Sequence, residues 1–329
     1  MFAMTRFLHV ANGTSTTMTI EAAGIPGLRS IWADPLHAGP VPGGVSDDEL
    51  VGVRTEYLGG VTTAAPDPIN DLREWRAIIA RDEAYDELVL WYEHDLFDQL
   101  NLIQLLAWIR GRLPAQKRVS LVCIDSFPGR PHFKGLGELS ADELRPLLDT
   151  RQPVGEAHCA LAARAWEAFR ESSPEALDAF RRSDTAALPF LAPSLVRFLQ
   201  EYPWTGDGLS RSERRLLQLA ATETPMLAAA FPRMSEGDRW YHMTDLSLKA
   251  LAETLSSAPP ALLALSAATA ETKWFRRSAT ITDAGRRVLA GEQDRVATCG
   301  IDRWMGGVHL EGHAVPWRWD EDAQSIVRS

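Results

Sequence analysis

The chain has 329 residues, 45% of them hydrophobic, and a formal net charge of −10. That is enough apolar content for sizeable cores and length for two or three domains, while the acid excess argues against a polyanion as the main ligand. No run of about 18 apolar residues offers a membrane span; Cys123, Cys159 and Cys299 form no CxxC pair, which argues against a disulfide framework or zinc knuckle; and the opening MFAMTRFLHV turns polar too soon for a secretion signal, so a cytoplasmic location is the expectation.

Residues 6–10 read as a first strand that stops at Ala11-Asn12-Gly13-Thr14-Ser15-Thr16. A short helix over 16–23 follows, ended by Gly24 and Pro26. Residues 28–32 read as a weaker second strand before Ala33-Asp34, and 35–44 as turns. Ser46 and Glu49 have capping-box spacing and open a helix to about residue 58. A helix over 69–81 puts Leu72, Trp75, Ile78 and Ile79 on one face. Residues 87–92 form an apolar run into Glu93-His94-Asp95, and a helix over 96–110 carries Leu96, Leu100, Ile103, Leu106 and Ile109. Residues 119–124 run into Asp125-Ser126. Continuous apolar runs of this length suit strands buried on both faces. Residues 1–138 are therefore expected to form an α/β domain with a mostly parallel, Rossmann-like sheet.

Residues 139–208 read as a helical segment with pieces near 141–148, 154–170, 174–182 and 195–201, and Gly206-Asp207-Gly208 reads as a linker. From 209 to 292 the order is a helix capped by Ser210 and Glu213, helices near 225–231 and 245–255, a hairpin of 273–277 with 279–281, and a capped helix over 282–289. Three helices, a hairpin and a helix make a winged-helix-like domain. Residues 293–329, with Trp304, Trp317 and Trp319, read as a tail packed back on the fold. Charge is uneven: −8 over 1–150, −2 over 151–208, +2 over 209–292 and −2 over 293–329.

In open parallel sheets, ligands bind beyond the carboxyl ends of the strands. Here those ends collect His9, Asn12, Gly13, Thr14, Ser15, Asp34, His37, Glu93, His94, Asp95 and Asp125. The Asn12–Ser15 loop reads as an anion cradle at a helix start, or as a capped turn. A His flanked by carboxylates suits a general base or a divalent-metal ligand, so His94, Glu93, Asp95, Asp34 and His37 are the catalytic candidates. Asp95 also fits the N-cap of the following helix, with Asp98 at its third position, and Asp34 an Asx-turn before Pro35. His9 lies inside the first strand, where a hydrogen-bonded core residue is the plainer reading. Arg303 and His309 are candidate lid residues from the tail. No HExxH, CxxC or GxSxG occurs.

The segments LHVANGTST, IWADPLHAGPVP, LWYEHDLFDQLNLIQLLAW, GLGELS, GLSRSERRLLQ, ITDAGRRVLAG and GIDRWMGGVHLEG resemble the bacterial family catalogued as domain of unknown function 1835, with its companion C-terminal uncharacterised domain from about Leu209. The resemblance spans nearly the whole chain. It implies architecture and no activity. Family members tend to read NGDS where this chain has Asn12-Gly13-Thr14-Ser15.

The leading expectation is an enzyme, hydrolase or transferase, acting on a small polar substrate above the sheet. Nucleotide- and phosphate-containing compounds are among the candidates, and a divalent metal is a candidate cofactor. The alternatives are a ligand-sensing regulator whose winged-helix-like domain reads DNA, and a non-catalytic interaction module. A single basic residue, Lys249, on the presumed recognition helix disfavours the DNA reading.

Overall fold

The apolar runs become strands, and the turn residues between them end each element. In the computed structural model, which describes residues 5–61, 68–114, 116–267 and 273–329, the chain begins with β1 (Phe7–Ala11), α1 (Thr14–Ala22) and β2 (Leu28–Ile31). Then come β3 (Gly39–Pro40), α2 (Asp47–Val61), α3 (Pro68–Ala80), β4 (Glu87–Glu93), α4 (Leu96–Ile109) and β5 (Arg118–Ile124). The capping box that opens α2 is formed: Glu49 N–H donates to Ser46 Oγ at 3.3 Å, and Ser46 N–H to Glu49 Oε2 at 2.8 Å. After α5 (Ala141–Leu144), β6 (Gln152–Pro153) closes the sheet, and α6 (Glu156–Arg170), α7 (Glu175–Phe180) and α8 (Leu191–Leu199) follow.

The sheet order is β2-β1-β4-β5-β6. The first four strands are parallel and β6 is an antiparallel edge. From β1 the chain steps outward to β2, then crosses back to β4 and β5. Right-handed crossovers place α1 on one face and α2, α3 and α4 on the other. On the α1 face, Ile20 joins a core with Ala11, Val89, Trp91 and Val122. On the α4 side, Trp32 Nε1 donates to Gln104 Oε1 at 2.7 Å, and Tyr92 Oη donates to the Trp32 carbonyl at 3.1 Å. All seven residues of β4 are buried, as its position inside the sheet requires.

The chain forms two compact units, Met1–Ser194 with Trp304–Val308, and Leu195–Arg303 with His309–Ser329. In the first, the turn-rich stretch after β2 is organised by a buried ion pair. Arg54 and Asp34 are 1% and 2% exposed and meet at 2.6 Å. The same guanidinium donates to the carbonyls of Pro35, Ala38 and Pro40. Asn101 of α4 clamps the other side, accepting from Asp34 N–H and donating to Asp34 O, both at 2.8 Å. The returning 304–308 segment pairs with β3 in parallel, Gly39 with Met305 and Pro40 with Gly306. Gly307 N–H donates to the Phe169 carbonyl at 3.1 Å, and a Cβ on Gly307 would collide with the Arg170 carbonyl. This close approach is why the tail carries a Gly-Gly pair there.

The second unit contains α9 (Arg211–Glu223), α10 (Leu227–Met234), α11 (Asp245–Ser257), β7 (Leu263–Leu265), β8 (Ala279–Ile281), α12 (Asp283–Leu289) and α13 (Arg295–Cys299). This is the winged-helix-like order. One strand of the hairpin differs from expectation: β8 pairs antiparallel with Leu263–Leu265, while Trp274–Arg276 makes a 3₁₀ turn. The Leu263–Leu265 run fits the buried ladder, whereas 273–277 is rich in cations that need water. Glu213 is the polar centre of this unit. It closes the α9 capping box with Ser210 and accepts from Arg303 at 2.6 Å and Arg295 at 3.2 Å. Although burial opposes it, these two cations hold the Glu213 carboxyl down at about 2.

Replacing Arg54 by Ala strands a buried carboxylate. The expected loss is about 3–5 kcal/mol, read from urea unfolding of the full chain followed by Trp fluorescence.

Candidate functional site

β1 and β4 are neighbours, yet the helices that follow them leave to opposite faces. Loops at such a switch point diverge and open a crevice at the carboxyl ends. The residues delivered there are Asn12-Gly13 from β1 and Glu93-His94-Asp95 from β4.

Local capping chemistry sets the rest. Asp95 is the N-cap of α4, in extended backbone, and its Oδ1 accepts from Asp98 N–H at 2.9 Å. Asp98 sits in the first turn with its side chain buried. Its Oδ2 accepts from Glu93 N–H, and both oxygens accept from Asn12 Nδ2 at 3.1 Å. The other end of the Asn12 amide, Oδ1, accepts from the Thr16 hydroxyl of α1 at 2.9 Å. Asn12 thus joins α1, β1 and α4 through one planar group.

Glu93 is buried beside this cluster. Its Oε1 accepts from the N–H of Leu136, in the loop after β5. A Cβ on Gly135 would lie 2.6 Å from the Glu93 Cδ, so only glycine lets that backbone approach the carboxyl. Phe133, Leu136 and Leu139 anchor the loop in the α1-side core, and Ser15 Oγ donates to the Gly137 carbonyl at 3.2 Å. The Gly-Leu-Gly segment is a strap over the Glu93 carboxyl.

The electrostatics follow from burial without a cation. Burial pushes the Glu93 carboxyl up to about 8, and Asp95 adds to the rise against the Leu136 N–H and the Asn12 amide. Burial also pushes Asp98 well above the usual carboxylate range, reinforced by Glu93 and Asp95. Glu93 therefore holds its proton near neutral pH, and Asp98 is shifted in the same direction. Cys123 lies at the edge of this region, its Sγ 3.5 Å from the Glu93 carbonyl, and burial raises its thiol well above the ordinary value. It is a protonated thiol at neutral pH, not a nucleophile.

The expected site residues divide into groups. Asn12, Glu93 and Asp95 belong to the cluster. Ser15 lies at its rim, exposed beside Thr14, after Gly13 as the extended N-cap of α1. Asp34 is occupied by Arg54 and Asn101, so the general role expected of it gives way to fixing the loop after β2. His37 is half-buried with its ring edge-on to Phe97, 6.3 Å between centroids. His94 is 1% exposed, with its ring edge-on to Phe190 at 6.3 Å and its carbonyl accepting from Ser194 Oγ at 2.8 Å. Its expected place as an accessible base is corrected to one packed among core groups, because the chain after Glu93 turns inward to cap α4. His9 is a core histidine. The Trp91 indole can only donate, so His9 Nδ1 accepts at 3.2 Å, and Nε2 carries the proton toward the Pro26 carbonyl at 3.2 Å. Burial holds the ring below its ordinary pKa, hence neutral. Asp125 takes the Ser126 hydroxyl at 3.1 Å. The candidate lid residues Arg303 and His309 both have polar partners. Arg303 is engaged by Glu213 and the Glu201 carbonyl, and His309 by Asp302 at 2.8 Å, all inside the second unit.

Asp98, Asn101 and the Gly135-Leu136 strap are absent from the sequence-level set of candidates. A signal existed for the first two: Asp98, Gln99, Asn101 and Gln104 are all buried on a helix that otherwise reads as apolar. Nothing local marks the strap as a partner of Glu93, 43 residues away.

Two surface grooves lie elsewhere on the first unit. One of about 450 Å³ borders Glu87, Arg118 and Arg151 at the amino ends of β4 and β5. The other, about 310 Å³, borders β2 between α1 and α3 and includes Thr14. Among the described residues, no three or more His, Cys, Asp or Glu side chains are grouped to hold a metal ion, and no helix is long and apolar enough to cross a membrane. A scan against protein-family models and a search of curated proteins found no match to the chain.

A carboxyl whose folded pKa is raised binds its proton more tightly folded than unfolded. Its stabilising contribution is complete below the unfolded value near 4.5 and is lost as pH rises to about 8. The stability difference between the wild-type chain and Glu93→Gln should therefore fall from pH 5 to pH 8 and then level off. Denaturant titrations across that range check it; a pH-independent difference would count against a protonated Glu93. Asp95→Ala should cost roughly 1 kcal/mol through the lost cap, measured in the same way at one pH.

Proposed function

We propose that the first unit binds a small polar ligand where β1 and β4 end, and that Glu93 and Asp98 exchange a proton with it. One coincidence carries the reading: the switch point of the sheet is also where two carboxyls are buried, with no Lys or Arg paired to them among the described residues, and bridged by Asn12. General acid–base catalysis near neutral pH needs a group that still holds a proton there, and neighbouring carboxyls in a dry setting supply one. Asn12 fixes their orientation, and Ser15 offers a hydroxyl at the rim. The acidic surroundings favour a neutral or cationic group of the ligand against Glu93. A phosphate, if the ligand carries one, fits nearer Thr14 and Ser15, where α1 begins with no side-chain cap on its N–H groups. Ligand entry displaces the Leu136 N–H from Glu93 and substitutes a donor of its own. In this reading the chain is an acid–base enzyme of the hydrolase or transferase type, and its membership of the domain-of-unknown-function family named above forms part of the proposal.

A second reading, a ligand sensor acting on DNA, is favoured by the winged-helix-like order of the second unit. The charges of that unit oppose it. Arg214 pairs with Asp207, Arg215 with Glu236, and Lys249 of α11 lies 3.9 Å from Glu253. Those pairings reduce the positive charge that α9 and α11 could offer a DNA backbone.

The test is a thermal-shift screen over nucleosides, nucleotides, amino acids and small polyols, run on the wild-type chain, Glu93→Gln and Asp98→Asn. A compound that raises the wild-type Tm and leaves both variants unmoved is the expected result. Binding that persists unchanged in both variants would place the ligand elsewhere and overturn the proposal.

A further inference from the structure

β2 is the open edge of the parallel sheet. Trp32 N–H donates to the Ala11 carbonyl at 2.9 Å. Backbone groups along a strand alternate sides, so Leu28, Ser30 and Trp32 face β1 while Arg29 and Ile31 face outward. Among the described residues neither Arg29 nor Ile31 has a backbone partner on that side; the Ile31 carbonyl has only a 3.5 Å contact from Ser30 Oγ. The outward edge forms the floor of the groove of about 310 Å³, with α1 as one wall and α3 as the other. Met18, 63% exposed, stands on the α1 wall, and Leu28, at the start of the strand, is 50% exposed.

Natural sheets blunt or cover such edges. This one is left with two free amide positions and apolar side chains beside them. The shape of the groove decides what can cover it. A second copy would have to bring its own β2 flanked by its own α1 and α3, which the two walls exclude. A lone extended segment fits. The charge decides its chemistry. Glu21, Asp71 and Glu74 line the groove against one guanidinium, Arg29, which already sits 2.9 Å from Glu21.

We propose that this edge binds an extended, basic peptide segment of a partner protein by strand addition to β2. The segment spans about four residues, the length of β2, and hydrogen-bonds to the outward N–H and C=O groups of Arg29 and Ile31. Alternate side chains point into the groove, where Lys or Arg meets Glu74 and apolar residues meet Met18. The Glu93 cluster takes no part in this; Thr14, at the start of α1, is common to this groove and to the rim of the proposed ligand site.

The experiment uses the full chain and two fluorescein-labelled hexapeptides, one alternating Lys and Val, the other alternating Glu and Val. Fluorescence anisotropy should give saturable binding of the Lys peptide, at least tenfold tighter than the Glu peptide and weaker at high salt. Glu74→Lys, an exposed change, should weaken the Lys peptide by about tenfold or more. Hydrogen exchange should find the amides of Arg29 and Ile31 fast in the free chain and slowed by the Lys peptide, while Trp32 stays slow throughout. Equal affinity for the two peptides overturns the proposal. So does protection of Arg29 and Ile31 in the free chain, since the edge would then already be covered, and so does binding without protection at those two amides.

Discussion

The carboxyl of Asp98 holds together the end of the sheet on which everything else at this site depends. It receives the N–H of Glu93, which fixes how β4 ends, and the amide of Asn12, which fixes how β1 ends. It stands in the first turn of α4, where the helix dipole favours a negative charge. Burial nevertheless outweighs that dipole and the two donors, so the group is pushed well above its ordinary pKa. The cause is the low dielectric inside the crevice combined with the carboxyls of Glu93 and Asp95 nearby. The joint between two strands and two helices is therefore also a proton-holding pair, and its structural and chemical roles share the same atoms.

Two other buried carboxyls have arginines against them. Asp34 is matched by Arg54, and Glu213 by Arg295 and Arg303. For Glu213 the opposite charge outweighs desolvation, and the result is a carboxyl near 2. Both pairings serve to fix loops and helix ends. Glu93 has no Lys or Arg paired to it among the described residues, and its carboxyl stays near the pH at which a proton can be moved. This contrast, between carboxyls equally removed from water, is what separates the Glu93 cluster from the structural ion pairs.

The strap adds a constraint of shape. Gly135 lets a backbone N–H reach Glu93, and Leu136 and its apolar neighbours hold the segment in the core. The carboxyl is thereby given a donor and shielded from water at once, and the shielding is part of why its pKa rises. A Cβ at position 135 would collide with the Glu93 carboxyl, so one of the two would have to shift.

Much of this was legible one residue at a time. The runs ending at Val10, Tyr92 and Ile124 are strands because unbroken apolar sequence of that length tolerates burial on both faces. Asp95, Ser210 and Thr282 are caps because a short side-chain acceptor before a helical stretch satisfies its free N–H groups. The carboxyl ends of the strands were recognisable as the place where Asn12, Glu93 and Asp95 would gather, and they do gather there. What the sequence could not assign was partnership across distance. Asp34 and His94 looked as available as Glu93, since nothing in the chain reveals that Arg54 lies in reach of one or that Phe190 covers the other. Likewise 273–277 resembled a strand until Leu263–Leu265 took its place in the ladder. Helix, strand and cap are decided by neighbours within a few positions, so the sequence determined them. Which buried charge finds a cation, which remains protonated and which edge stays open depend on residues brought together from 20, 43 or 86 positions away, and only the tertiary structure decided those.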